Sequence, residues 1–584
     1  MIKLLKNLKI KEWFLILIAG LFIYGQVWLE LRMPDYMQEI TVLVQTSGSL
    51  MSEILKNGFY MLACAFGSLF LTVIVGYIIA YISSVFSFRV REKIFHKTED
   101  FSLKEIKKFK TSSLITRTTN DITQLEMLLG MGLNLLIKSP LTAILAILKI
   151  LDKNFTWSIM TLIAVMILLL TVVIITIIVV PRFKIVQKLI DNVNNLIREN
   201  LTGIRVIRAF NAEKYQENKF EKTNEALTNK QLFNQRAFAF MSPIMSFVLY
   251  GLTLSIYFVG AILIKEASYG DKIILFGDMI VFSSYAMQVI MSFLMLAFVF
   301  MMVPRANVSA RRINEVLDTE ISIKDGTGKK ETSIGEIEFR NVNFKYPDAE
   351  EYVLRDISFK VNKGETIAFI GSTGSGKSTL INLITRFYDV TSGEVLVDGV
   401  NVKDYKLYDL YNKIGYISQK AVIFDGSVSD NVNFGESSKK ITKNDIKEAI
   451  KIAEAEEFVL KMDDNYDEHI ATGGSNISGG QKQRLSIARA LAKKAEIYIF
   501  DDSFSALDYK TDAKLRKNLK KYSKDSTILI VAQRIGTIMN ADKIFVLDNG
   551  KCVGNGTHKE LLKNCEVYKQ IAYSQLSKEE LENE

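Results

Sequence analysis

"ETIAFIGSTGSGKSTLINLI", residues 365–384, decides the fold of the C-terminal half. Five residues from Thr366 to Ile370 read as a buried strand, and an apolar-periodic helix begins at about Lys377. Between them stands the spacing Gly371-x-x-x-x-Gly376-Lys377-Ser378. A strand before and a helix after give the phosphate-binding P-loop its required context. Gly371, Ser372, Thr373, Gly374, Ser375 and Gly376 form a loop whose glycines let backbone N–H groups curl round phosphate oxygens, and the helix N-terminus adds positive potential. Lys377 neutralises the β/γ oxygens, the Ser378 hydroxyl is a ligand for Mg²⁺, and Thr379 completes the turn.

Further along, "IYIFDDSFSALD" (497–508) runs four apolar residues into two adjacent carboxylates. A strand ending in Asp501 suits a carboxylate that holds Mg²⁺ through water. Asp502 falls where a nucleotide hydrolase of this pattern places its general base. Just upstream, "NISGGQKQRLSIARAL" (476–491) opens an amphipathic helix with Ser478, Gly479, Gly480 and Gln481, a start able to present N–H groups and a hydroxyl to a phosphate.

The first half of the chain is a different material. The 584 residues are 49% hydrophobic yet 23% charged, and the average conceals a split between long apolar runs and a mixed, charged domain. Six stretches, near 13–34, 55–86, 125–151, 158–180, 238–264 and 273–303, are long enough for a hydrocarbon core of about 30 Å. The leader before the first is basic, but no small-residue cleavage site follows, so it reads as a retained span. The connections at 87–124 and 181–237 are long and rich in Lys and Arg, whereas "DKNFTW" (152–157) is short and carries little charge. Basic loops stay inside, which predicts a multi-pass protein of the cell membrane with both termini, both long loops and the nucleotide-binding half in the cytoplasm. The net charge of +9 is thereby a matter of topology, not of nucleic-acid binding. Three cysteines (Cys64, Cys552, Cys565) without paired spacing support neither a disulfide framework nor a zinc site.

No proline falls between Phe183 and Met241, so the long loops are expected to continue the spans as helices. "ENLTGIRVIRAFNAE" (199–213) carries Ile204, Val206, Ile207 and Phe210 in a polar setting, which calls for a docking partner. Inside the spans, Lys149 and Asp278 lie near predicted ends, where snorkelling accounts for them. Asn134, Lys138 and Gln288 suit a cavity lining or a structural role equally. Phe238, Phe240, Phe247, Met287, Met291 and Phe293 fit an adaptable apolar cavity and equally fit lipid.

Taken with these motifs, the whole chain resembles a half-transporter of the ATP-binding cassette (ABC) exporter family, with P-loop, SGGQ signature and "SALD" in the family's order and spacing. The resemblance implies a multidomain membrane protein: an all-α six-helix transmembrane domain (1–318), a linker (319–335), an α/β P-loop nucleotide-binding domain (336–573) and a charged tail (574–584). It implies ATP and Mg²⁺ as cofactors, with Ser378, Gln419 and Asp501 at the metal. It further matches Tyr346 in "FKYPD" to the aromatic that stacks on adenine, and Gln419 to the glutamine that reaches metal and attacking water. Ser478 to Gln481 match the signature that contacts nucleotide bound by the opposite subunit, and Asp508 a loop crossing that interface. Segments 109–121 and 205–213 resemble coupling helices. Hydrophobic or amphiphilic compounds, including drugs, are the implied cargo; an ATP-sensing regulatory subunit and a lipid flippase are the competing readings.

The chain departs from the family pattern in its own site. Asp502 stands where Glu is usual and Gln533, in "ILIVAQRIGT", where His is usual; Ile477 replaces a Leu before a signature otherwise intact. Asp is one methylene shorter, setting the carboxylate back by roughly 1.5 Å, and general-base catalysis worth about 10²–10⁴-fold depends on hydrogen-bond reach. Gln533 keeps a donor but loses the imidazole. The pattern implies a site that binds ATP and hydrolyses it slowly. It also implies a heterodimer with a second half-transporter that keeps Glu and His and whose hydrolytic site this chain's signature completes.

Overall fold

The computed structural model describes residues 2–46, 48–151, 155–328, 334–436, 440–522 and 524–576. The linker (319–335), the tail (574–584) and the 152–157 connection lie partly outside the described residues. The chain forms two compact units, Met1–Glu99 with Ser112–Thr319, and Asp100–Thr111 with Glu320–Glu584. The second therefore takes in a short piece of the 87–124 loop.

Among the described residues, the first unit holds six helices long and apolar enough to cross a membrane: Ile10–Gln45, Met51–Glu99, Thr111–Leu151, Phe155–Val179, Glu213–Glu266 and Asp271–Asp318. Each is longer than its apolar stretch, because the flanking sequence is made of good helix formers and continues the helix beyond any hydrocarbon layer. The helix that contains the fourth span runs on to Thr202, and the polar helix Glu213–Ala239 leads into the apolar helix Met241–Glu266 of the fifth, as the proline-free loops predict. Trp157, Phe282, Tyr285 and Ile256 are wholly buried at the centre of the bundle, with Trp157 tilted onto Phe282 at 5.3 Å between ring centroids.

Charge inside this bundle is paired between spans. Lys149 Nζ lies 2.8 Å from Asp35 Oδ2, and the Tyr285 hydroxyl donates to Asp35 Oδ1 at 2.5 Å. Lys138 Nζ meets Glu30 Oε1 at 2.9 Å, an oxygen that also accepts from Gln26 and Ser68. Gln38 Nε2 donates to Asp278 Oδ1 at 2.7 Å. Lys149 and Asp278 thus each have a side-chain partner. Their partners sit on the first helix, which continues past residue 34 to Gln45 and brings Asp35 and Gln38 beside them. Nearer the N-terminal end of the third span, Arg117 pairs with Glu315 at 3.0 Å and Asp121 with Arg312 at 3.3 Å.

The second unit is built on a six-stranded sheet in the spatial order Lys551–Gly556, Lys543–Asp548, Thr366–Gly371, Thr527–Val531, Ile497–Asp501, Ile414–Ile417. All neighbours are parallel except the first pair. The central strands are buried along their whole length, as a parallel sheet covered on both faces requires. A four-stranded antiparallel sheet (Leu354–Val361, Ile337–Phe344, Ser392–Val397, Val400–Asn401) closes one side. Its inward residues Phe339, Val342 and Val361 join Phe369 and Leu380 in one core.

Candidate nucleotide site

Three neighbouring parallel strands end at the same edge of the sheet, and their carboxyl ends deliver the P-loop, the Asp501–Asp502 pair and Gln533. Ligands of open α/β sheets bind at this edge. Gly371 and Gly376 adopt φ +158° and +99°; a Cβ at Gly376 would lie 2.6 Å from Leu354 Cδ2, so only glycine fits this backbone and space. Helix Lys377–Ile384 starts directly after Gly376 and aims its free N–H groups back at the loop. Lys377 folds over the loop, donating to the carbonyls of Gly371 and Ser372 at 2.8 Å each. Burial holds its ammonium pKa below the usual lysine range, so an incoming polyphosphate finds a cation stripped of water.

Ser378 Oγ donates to Asp501 Oδ1 at 2.8 Å, bringing together two oxygen groups from residues 123 positions apart. Burial pushes the Asp501 carboxyl above the ordinary carboxylate range, with the Ser378 hydrogen bond opposing it and the neighbouring Asp502 charge reinforcing it. The hydroxyl and the carboxylate are hard oxygen donors of the kind Mg²⁺ takes, and Gln419 reaches the neighbouring Asp502 through its amide nitrogen. Asp502 is buried and stands at φ +47°. One of its oxygens, Oδ2, accepts from Gln533 Nε2 at 2.9 Å and from Gln419 Nε2 at 3.2 Å. Desolvation raises its pKa, and the Gln419 hydrogen bond and the Lys377 charge oppose the rise. The residues singled out at 371–379, 419, 501, 502 and 533 thus converge on one site.

Tyr346 reaches the same helix, its hydroxyl 2.9 Å from Thr379 Oγ1. Ser478 caps helix Gly479–Ala492: Gln481 N donates to Ser478 Oγ at 3.3 Å, and Ser478 N donates to Gln481 Oε1 at 2.8 Å. Local capping thus fixes the geometry of this segment. Gln483, buried in that helix, donates to Ser418 O, the residue before Gln419. Asp508 Oδ1 accepts from Thr511 N at 2.9 Å.

The sequence reading missed Tyr416. This half-buried ring lies beside Asp501 and hydrogen-bonds it, and burial raises the phenol pKa strongly. Its signal was available as an aromatic inside the short strand Ile414–Ile417 that leads to Gln419. Also missed was a groove of about 310 Å³ lined by Phe387, Tyr411, Tyr416, Phe434 and Arg489. Arg489 donates to Asn431 O at 2.7 Å and Val422 O at 2.9 Å, lies over the Phe434 ring at 5.2 Å, and has its pKa pushed down by burial to about 10. In the membrane unit, Met241, Ser242, Met245, Met291 and Leu294 help line a cavity of about 450 Å³. Of the candidate cavity residues, Met291 lines it, while Phe240 and Phe247 are 68% and 79% exposed.

Family models for the ABC transporter transmembrane region and the ABC transporter match residues 14–293 and 354–505. An uncharacterized ABC transporter ATP-binding protein of Mycobacterium tuberculosis is 38% identical over 490 residues, 83% of each chain. An ATP-dependent lipid A-core flippase of Pseudomonas aeruginosa is 34% identical over 454 residues, 77% of this chain and 73% of that one. A solved bacterial Atm1-family ABC exporter with ATP bound has the same fold, with a TM-score of 0.79 and 21% identity over 97% of this chain and 98% of the other.

Proposed function

We propose a function on the premise that this chain belongs to the ABC transporter family, as an exporter half-transporter with six membrane-spanning helices and one nucleotide-binding domain. The chain is one subunit of a heterodimer that couples ATP to the export of hydrophobic or amphiphilic compounds, and its own nucleotide site holds ATP far better than it cleaves it. The observation that carries this reading is the double clamp on Asp502. Two amides donate to the same carboxylate oxygen, and the side chain is a methylene shorter than the family's Glu. A general base needs a free lone pair within hydrogen-bond reach of the attacking water, and here one oxygen is occupied and the other set back.

The family resemblance supports the cofactor positions. Ser378, Gln419 and Asp501 would hold Mg²⁺, which would supply positive charge to offset that of the triphosphate. Lys377 and the loop N–H groups orient the triphosphate, Tyr346 stacks on the base, and Gln533 steadies Asp502 without carrying a proton. The Ser478–Gln481 turn, intact and capped, serves the site of a partner that retains Glu and His. The nucleotide unit faces the cytoplasm, on the charge of the long loops.

Movement passes from nucleotide unit to spans through apolar cytoplasmic segments. Phe210 and Val206, at 78% and 61% exposed, are the kind of exposed apolar side chains that serve in docking. The methionine-lined cavity suits cargo of varied apolar shape; a lipid-flipping role is the second reading, favoured by the similarity to the flippase. The deciding experiment measures phosphate release by this chain in liposomes, alone and co-expressed with a half-transporter carrying Glu and His. Turnover should appear only in the pair and survive loss of Asp502. Vigorous, Lys377-dependent turnover by this chain alone overturns the proposal.

A further inference from the structure

The nucleotide unit borrows the helix Leu103–Phe109 from the loop between the second and third spans. This helix is held firmly. Ser102 caps it, and buried Glu105 accepts from both the amide and the hydroxyl of Ser102, at 2.9 and 2.6 Å. The Ser102 hydroxyl is 3.0 Å from that of Ser322, and Phe101 stacks flat on Phe109 at 5.8 Å. One exposed side chain, Lys107, is thereby aimed at a specific place. Its ammonium lies 4.9 Å from the centroid of Tyr346 and 5.6 Å from that of Tyr388. The two rings meet edge to face at 5.2 Å, and Phe344 packs on both, at 5.1 and 5.7 Å. The hydroxyl of Tyr346 is tied to Thr379. Tyr346 is thus fixed at its hydroxyl, packed by two rings and covered by a cation.

We propose that Lys107 is a positioning residue of the nucleotide site, holding the Tyr346 ring in place for the purine from a helix that belongs to the transmembrane region's own loop. The proposal rests on Tyr346 being the base-stacking ring. A cation over a π face is attracted by the ring quadrupole; it fixes the tilt of the ring and draws electron density toward itself, which favours a stacked purine. A polar side chain on this loop therefore bears on how tightly the base is held.

The test uses the full-length chain in lipid nanodiscs and measures equilibrium binding of Mg-ATP and, separately, of inorganic tripolyphosphate, which has no base. K107M should weaken ATP by about two- to fivefold, the size of an exposed cation–π contact, and leave tripolyphosphate unchanged. K107R should restore ATP binding, and in a Y346L background K107M should cause no further loss. Unchanged or tighter ATP binding in K107M, while Y346L weakens it, overturns the role of Lys107 and leaves the stacking role of Tyr346 standing. Equal weakening of tripolyphosphate reduces Lys107 to a bulk charge and likewise overturns the proposal. If Y346L binds ATP as the parent does, the base-stacking reading itself falls and the proposal with it.

Discussion

The two units of this chain use charge in opposite ways. In the nucleotide unit, Lys377, Asp501 and Asp502 gather at the ends of adjacent parallel strands, each desolvated and only partly compensated by its neighbours. In the membrane unit, Lys138 and Lys149 each find a carboxylate on another span. The first arrangement leaves charge ready for a ligand, at the cost of strain such as the positive φ of Asp502. The second cancels charge so that helices can lie in an apolar solvent.

The strongest way to sharpen the contrast is to rebuild the base. D502E combined with Q533H should raise phosphate release from this chain's own site by about two orders of magnitude, the lower end of the 10²–10⁴-fold range of general-base catalysis. A rate unchanged by both substitutions in single-turnover assays would place the defect elsewhere. In the membrane unit, K149M removes one partner of a part-exposed pair and leaves the Asp35 charge without its cation, an expected loss of about 1–2 kcal/mol, whereas K149M with D35N should recover most of it. Thermal melting in nanodiscs reads both; a K149M protein as stable as the parent would return Lys149 to a snorkelling role.

Smaller effects test how far the loop geometry is fixed by backbone. G376A forces a Cβ against Leu354 at positive φ and should cost about 1–3 kcal/mol, with ATP affinity falling in parallel; a titration showing normal affinity would argue that the loop relaxes. Least of all, S478A removes a helix cap worth about 1 kcal/mol. Its effect on stability should be slight beside its effect on ATP turnover when a Glu-bearing partner is present. Equal turnover in the pair with and without this hydroxyl would separate the signature from the partner's chemistry.

The same contrast explains what could be read from the chain directly. The P-loop is legible because every part of it, from Gly371 to Thr379, comes from one continuous stretch whose spacing is dictated by a phosphate. Asp501 and Gln533 are nearly as plain, each closing an apolar strand. The spans are legible as lengths of hydrophobic sequence but not as partners: nothing local to Lys149 announces Asp35, 114 positions away. The apolar stretch of the first span ends near 34, although the helix continues to Gln45 and carries Pro34 and Asp35 in its interior. Tyr416 and Lys107 were passed over for the same reason, since each acts through a ring or carboxylate supplied by a remote segment.

The small helix around Lys107 has a practical consequence for anyone who cuts this gene. A fragment beginning at the linker folds without residues that the ribosome made some two hundred codons earlier, at Asp100–Thr111. Such a fragment lacks the mate of Ser322 and the ammonium over Tyr346. Affinities measured on it describe a catalytic head severed from part of its own wall, and only the unbroken polypeptide reports the pocket as it is assembled.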